Sequence, residues 1–134
     1  MIDYKFLIEK AIIARNASYS PYSSFKVGAA ILCQDGEIFT GCNIENAAYS
    51  ETICAERVAI YNAISRGKRD FCAIAIVGGK EEITDFTYPC GACRQVLSEF
   101  CIGGMKIVLF DGENIKLSTL NELFPCNFGK DSIK

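Results

Sequence analysis

The chain has 134 residues, half of them hydrophobic, with 14 Lys and Arg against 16 Asp and Glu, a formal net charge of -2 and no histidine. That length supports one domain with a real core and is too short for two ordinary ones, so residues 1–134 are expected to form a single domain. Without a basic stripe or a run of five like charges, the chain offers nothing to a phosphate backbone, which excludes duplex nucleic acid as a partner. The opening MIDYKFLIEKAIIARN mixes charged and apolar positions at helical spacing. It lacks the unbroken apolar stretch of a signal peptide or membrane span, so a cytoplasmic protein with no membrane partner is expected. Eight cysteines allow four disulfides in a small secreted protein, but a chain this rich in Ile, Val, Leu and Phe folds without them, and free thiols fit better.

In chain order, Asp3 can cap a first helix that runs to about Ala17, with Phe6, Leu7, Ala11 and Ala14 near one face. Pro21 then pushes Ser20 out of helical backbone. KVGAAILC and EIFTGCN flank QDG, where Asp35-Gly36 suits a tight antiparallel hairpin. TICAERVAIYNAISRG predicts a second helix from near Cys54, with Val58, Tyr61 and Ile64 on its apolar side and Gly67 as its stop. CAIAIVGG reads as a buried strand, and CGACRQVLSEF as a short helix with Val96, Leu97 and Phe100 inward. MKIVLFD reads as another buried strand and IKL as a shorter one, before a helical turn capped from Ser118 in STLNELF. A hairpin followed by alternating helices and strands predicts an α/β fold, a three-layer α/β/α sandwich around a five-stranded mixed sheet.

Cys90 and Cys93, in YPCGACRQV, have three possible uses by themselves: a disulfide, a redox pair, or half of a metal site. Cys54 favours the third. It lies where the second helix begins, while Cys90 and Cys93 open the third. Helix N-termini lower thiol pKa values and so suit metal-binding thiolates. Parallel helices on one face of the sheet would bring the three sulfurs together, and three zinc ligands leave the fourth tetrahedral position open for water, as in catalytic sites. A zinc ribbon needs a second C-x-x-C pair, which the sequence lacks. Glu56, on the first turn after Cys54, is placed to be the general base in a chain without histidine. Three thiolates around Zn²⁺ carry a net charge of about -1, which calls for a nearby cation, and Arg57 is adjacent. Arg94 is a weaker choice for that role. Cys33, Cys42, Cys72, Cys101 and Cys126 sit in apolar strand or terminal contexts and are assigned no chemistry.

At these residues the sequence resembles the cytidine deaminase family, in the short homotetrameric form that works on free nucleosides. SPYSSFKVGAAIL, GCNIENAAYSETICAERVAI, PCGACRQVLSEF and ELFPCNF follow the family's order and spacing across most of the chain. Cysteine at position 54, where relatives acting on deoxycytidylate or on bases in nucleic acid usually carry histidine, points to the free-nucleoside branch. The resemblance implies a cytidine deaminase-like fold and one Zn²⁺ per chain held by Cys54, Cys90 and Cys93. Glu56 takes a proton from water and returns protons to N3 and to the amino group leaving C4.

The resemblance also implies that Asn43 and Glu45 bind the ribose hydroxyls, and that Phe25 packs near the pyrimidine. Ala55 contacts the ring through its backbone, Arg57 hydrogen-bonds the ligand sulfurs, and Tyr49 and Phe128 reach toward a neighbouring subunit's pocket. The expected activity is hydrolysis of cytidine and deoxycytidine to uridine and deoxyuridine in pyrimidine salvage, by a homotetramer with shared sites. Exposed aromatics at Phe124 and Phe128 in the closing segment are expected to be covered by that assembly. The alternatives are a deaminase of a nucleoside-like antibiotic on the same fold, and a non-catalytic interaction module stabilised by zinc.

Overall fold

The Asp3 carboxylate accepts the Phe6 N–H at 3.0 Å and so starts the first helix, α1 (Tyr4–Arg15). The computed structural model describes residues 1–133. After α1 come β1 (Lys26–Cys33), β2 (Ile38–Cys42), α2 (Ala55–Ser65), β3 (Phe71–Gly79), α3 (Gly91–Phe100), β4 (Lys106–Phe110), β5 (Ile115–Thr119) and α4 (Leu120–Leu123). The sheet order is β2-β1-β3-β4-β5. β3 and β4 run parallel and every other pair is antiparallel. A parallel pair needs a long crossover, and α3 lies within it. The expected five-stranded mixed sheet and its hairpin are therefore present, with Gly36 at a φ of +95° in the turn.

Alternation along β3 divides the core into two layers. Ala73, Ala75 and Val77 face Leu7, Ile8 and Ala11 of α1. Ile74 and Ile76 face a larger cluster with Ala55, Ala59, Ile60 and Ala63 of α2 and Leu97 of α3. Two glycines set the helices' close approach. A Cβ at Gly28 would meet the Ala11 carbonyl at 2.0 Å, and one at Gly41 would meet the Ala59 nitrogen at 2.5 Å and the Ala55 carbonyl at 2.7 Å. α2 therefore rests directly on β2, which fixes where its N-terminus projects. Arg15, buried at the end of α1, joins the ends of two strands. Its Nε donates to the Lys26 carbonyl at 3.1 Å, and its Nη2 donates to the carbonyls of Gly79 at 2.7 Å and Glu81 at 3.1 Å.

Several expectations are corrected. α1 stops at Arg15 rather than Ala17, and Phe6 is exposed, because the buried stripe runs through Leu7, Ile8, Ala11 and Arg15. α2 turns Ala55, Glu56, Ala59, Ile60 and Ala63 inward, leaving Val58 and Ile64 at the margin and Tyr61 exposed. Gly41 seats the helix with the backbone of Ala55 and Ala59 directly over the strand, which turns this set of residues inward. The cap of α4 is Thr119, which forms a reciprocal capping box with Glu122, while Ser118 is buried in β5. Phe124 packs partly buried against its own core, so of the two closing aromatics Phe128 alone stays exposed.

Candidate active site

Cys54 and Cys90 are the residues that precede α2 and α3. Both have extended backbone, and neither caps its helix with its side chain. Cys93 follows on the first turn of α3, fully buried. The sulfurs of Cys54 and Cys90 lie 3.7 Å apart and those of Cys90 and Cys93 3.6 Å apart, and all three lie within 4.8 Å of one another. A tetrahedral zinc with bonds near 2.3 Å holds its sulfurs about 3.8 Å apart, so this donor set fits the ion with one position left over. Among the described residues this trio is the one group of three or more Cys, Asp or Glu close enough to bind a metal.

Without a metal, Cys54 and Cys93 hold their protons unequally. Cys54 is held down to about 5, first by hydrogen bonding from Cys93 and then by Arg57. Cys93 is pushed up, chiefly because it supplies that hydrogen bond, and burial pushes the same way. One thiolate is therefore ready, and the Cys93 proton leaves as a cation binds.

Glu56 stands beside the sulfurs, 4% exposed. Burial pushes its carboxyl up to about 7, and the charge on Cys54 adds to the rise. A carboxyl near 7 is matched to taking up and releasing protons at neutral pH. The Nη2 of Arg57 donates to Cys54 Sγ at 3.4 Å, and the thiolate pushes the guanidinium pKa further up. Arg57 Nε is the one buried side-chain N or O among the described residues without a hydrogen-bond partner. The cation thus sits against the sulfurs, as charge balance requires. Arg94 turns elsewhere, donating to the Pro89 carbonyl at 2.6 Å and to the Leu123 carbonyl.

Cys54, Cys90 and Glu56 open on a cavity of about 340 Å³ that Phe25, Asn43, Glu45 and Ala55 also line, with Cys93 buried behind it. That volume lies in the range of small-molecule sites. Asn43 is 9% exposed. Glu45 Oε1 accepts the N–H groups of Tyr22 at 2.8 Å and Ser23 at 3.1 Å, while Oε2 accepts the Ser23 hydroxyl. These bonds, the Ser23 hydroxyl first, hold the Glu45 carboxyl below its usual range. Tyr49 and Phe128 do not line the cavity. Tyr49 is 78% exposed with its ring edge toward Tyr22, and Phe128 is 61% exposed, its carbonyl accepting from Gln95 Nε2 at 2.9 Å.

Ser23, Thr87 and Tyr88 also line the cavity and had no signal of their own in the sequence. Thr87 and Tyr88 come just before the PCGAC segment, and that adjacency was the one cue available. A larger open depression of about 620 Å³ shares Phe25 and Thr87 with the cavity, but its Lys80, Glu81, Glu82 and Asp85 surround no sulfur cluster or buried acid, so the chemistry belongs to the smaller space. All eight cysteines are free. Burial raises Cys33 to about 11 and Cys101 to about 12, as expected for thiols that serve packing.

A family model described as the cytidine and deoxycytidylate deaminase zinc-binding region matches residues 1–109. The cytidine deaminase of Sporosarcina psychrophila is 47% identical over 98% of this chain and 96% of its own length. That of Halalkalibacterium halodurans is 46% identical over 95% of each. The crystal structure of a cytidine deaminase from Burkholderia pseudomallei superposes with a TM-score of 0.88 at 42% identity, covering 95% of this chain and all of that one. Three sulfurs at zinc spacing, a buried acid beside them and likeness along nearly the whole chain agree: this protein belongs to the cytidine and deoxycytidylate deaminase family, and its metal centre is a zinc site.

Proposed function

We propose that this chain is a cytidine deaminase that hydrolyses cytidine and deoxycytidine to uridine and deoxyuridine, releasing ammonia. The observation that carries this reading is the cluster of three sulfurs, two of them, Cys54 and Cys90, lining one cavity together with the buried Glu56, Asn43 and Glu45. Zinc, when bound by Cys54, Cys90 and Cys93, acidifies water and holds it for attack. Glu56 accepts a proton from that water and delivers it to N3 of the pyrimidine, then takes the remaining proton from the hydroxyl now on C4 and passes it to the amino group as the C4–N bond breaks. Oxygen from water then stays on C4 and ammonia departs. Asn43 and Glu45 hold the sugar hydroxyls, Phe25 packs beside the ring, and Ala55 leaves room for it. Arg57 offsets part of the thiolate charge, which keeps the metal a strong acid toward water.

The same reading makes residues 1–134 one catalytic domain in a cytoplasmic homotetramer that salvages pyrimidine nucleosides. Support for assembly comes from Tyr49 and Phe128, large apolar side chains left in solvent by the single chain. Tyr49 and Phe128 then act on a neighbouring subunit's cavity, since neither lines its own.

Purified protein incubated with cytidine is expected to release one ammonia per uridine formed, with about one zinc per chain by elemental analysis. Turnover of a nucleoside-like antibiotic in place of cytidine would move the reading to that branch. Zinc without ammonia from any substrate would leave an interaction module. Light scattering is expected to find four chains, and truncation after Pro125 to keep zinc while raising KM.

A further inference from the structure

The Asn43 amide has nearly all of its hydrogen-bonding capacity assigned. Its Oδ1 accepts the Val27 N–H at 2.9 Å and the Ser18 hydroxyl at 2.5 Å, and its Nδ2 donates to the Phe25 carbonyl at 2.7 Å. An amide oxygen has two lone pairs and its nitrogen two hydrogens, so the oxygen is filled and one N–H remains, on a residue that lines the cavity. Val27 and Phe25 fix which end is which, because a reversed amide would set donor against donor and acceptor against acceptor. Ser18 closes the second lone pair.

Ser18 has one hydroxyl hydrogen, and Asn43 receives it. The Ser20 hydroxyl lies 3.2 Å from Ser18's oxygen. Backbone pairing holds this arrangement in register beside the extended segment 43–45. The Tyr19 N–H donates to the Asn43 carbonyl at 3.1 Å, and the Glu45 N–H to the Tyr19 carbonyl at 2.8 Å. Glu45 shows the opposite polarity: Oε1 is filled by two N–H groups, Oε2 holds one hydroxyl, and acceptor capacity alone remains.

We propose that Ser18 is a positioning residue for nucleoside binding: its hydroxyl seals Asn43 Oδ1, so that Asn43 meets the ligand only as a donor beside Glu45, which meets it only as an acceptor. One donor next to one acceptor matches an alcohol, which both accepts and donates. The inference rests on the cytidine reading above and adds the residue that sets the polarity of its sugar end. Removing the hydroxyl opens a lone pair on Oδ1 toward water or toward the sugar oxygen and lets the amide tilt. Glu56 and the sulfurs, which do not touch Ser18, are left as they are.

The test compares the unsubstituted protein, Ser18→Ala and Ser18→Thr on cytidine and on 2′,3′-dideoxycytidine, which lacks both secondary sugar hydroxyls, with zinc content measured for each. Loss of one hydrogen bond is expected to raise the KM of Ser18→Ala for cytidine about 3- to 10-fold. Its kcat stays within about two-fold, since binding and not the transition state is affected. The KM or inhibition constant for dideoxycytidine is unchanged, and Ser18→Thr restores the cytidine value. An unchanged KM for cytidine, or an equal rise for both nucleosides, overturns the role of Ser18 while the cytidine reading stands. Absence of cytidine turnover in the unsubstituted protein overturns that reading, and this inference with it.

Discussion

At one end of the cavity three sulfurs and a carboxyl project from the starts of α2 and α3; at the other, Asn43 and Glu45 stand on an extended segment hydrogen-bonded to residues 18–27. The first end is placed by burial and by the close approach of α2 to β2 over Gly41. The second end is held by neutral and charge-assisted hydrogen bonds from a loop. There Ser24, at a φ of 61°, adopts backbone that L-residues other than Asn and Asp seldom use. On the proposed function, chemistry sits on packed helices and recognition on a bonded loop, which predicts that substitutions at the two ends separate into losses of zinc or kcat and losses of KM.

The largest effect is expected at the sulfurs. Cys90→Ala leaves two donors, and the protein should lose its zinc and with it all measurable turnover, by elemental analysis and ammonia release. Next, Glu56→Gln should keep zinc and fold yet lose roughly 100-fold or more in kcat, the size of a general acid-base contribution. Near-normal turnover of the zinc-loaded variant would break the assignment. At the other end, Glu45→Gln should raise the cytidine KM by roughly 10-fold or more, as hydrogen bonds to a charged group weaken, with kcat changed far less. A fall in kcat alone would erase the division between the ends.

The smallest effect concerns pH. The carboxyl of Glu56 is raised by burial to about 7, above the 4.5 of a free carboxyl. Its contribution to metal-free stability is therefore full below about 4.5 and is lost as pH rises through 7. Cys54, lowered to about 5 from 9.0, acts in the opposite sense, its contribution being lost as pH falls through 5. That contribution is present with or without Glu56, so the comparison between two metal-free proteins isolates the carboxyl. Relative to the unsubstituted protein, metal-free Glu56→Gln should gain thermal stability between pH 5 and 8, with a constant difference ruling out the buried carboxyl.

The metal end was legible in the sequence because its information is local. Cys54, Glu56 and Arg57 are bound together by helix geometry at one helix start, and Cys90 and Cys93 at another. Joining the two starts needed only the expectation that both helices lie on one face of the sheet. The apolar side of α2 was misjudged at Tyr61, which stays exposed while Ile64 packs at the core's margin, for a reason outside the helix: a glycine on β2, 14 residues before Ala55, seats the helix through Ala55, Val58 and Ala59. Phe6 and Phe124 went astray similarly, since hydrophobicity says that a ring seeks cover and not which cover exists.

The sequence by itself determined the element order, the alternation of alanine and isoleucine along β3, the helix starts, the three cysteines that come together and the carboxyl proposed to work beside them. These follow from covalent spacing and the fixed periods of helix and strand. Tertiary structure alone decided the burial that brings Glu56 to about 7, the approach of Cys54 Sγ to Cys90 Sγ, and the filling of Asn43 Oδ1 by Ser18 and Val27. Each of these depends on the distance and dielectric between groups far apart in the chain, and such quantities exist only once the sheet and its two helical layers have closed around them.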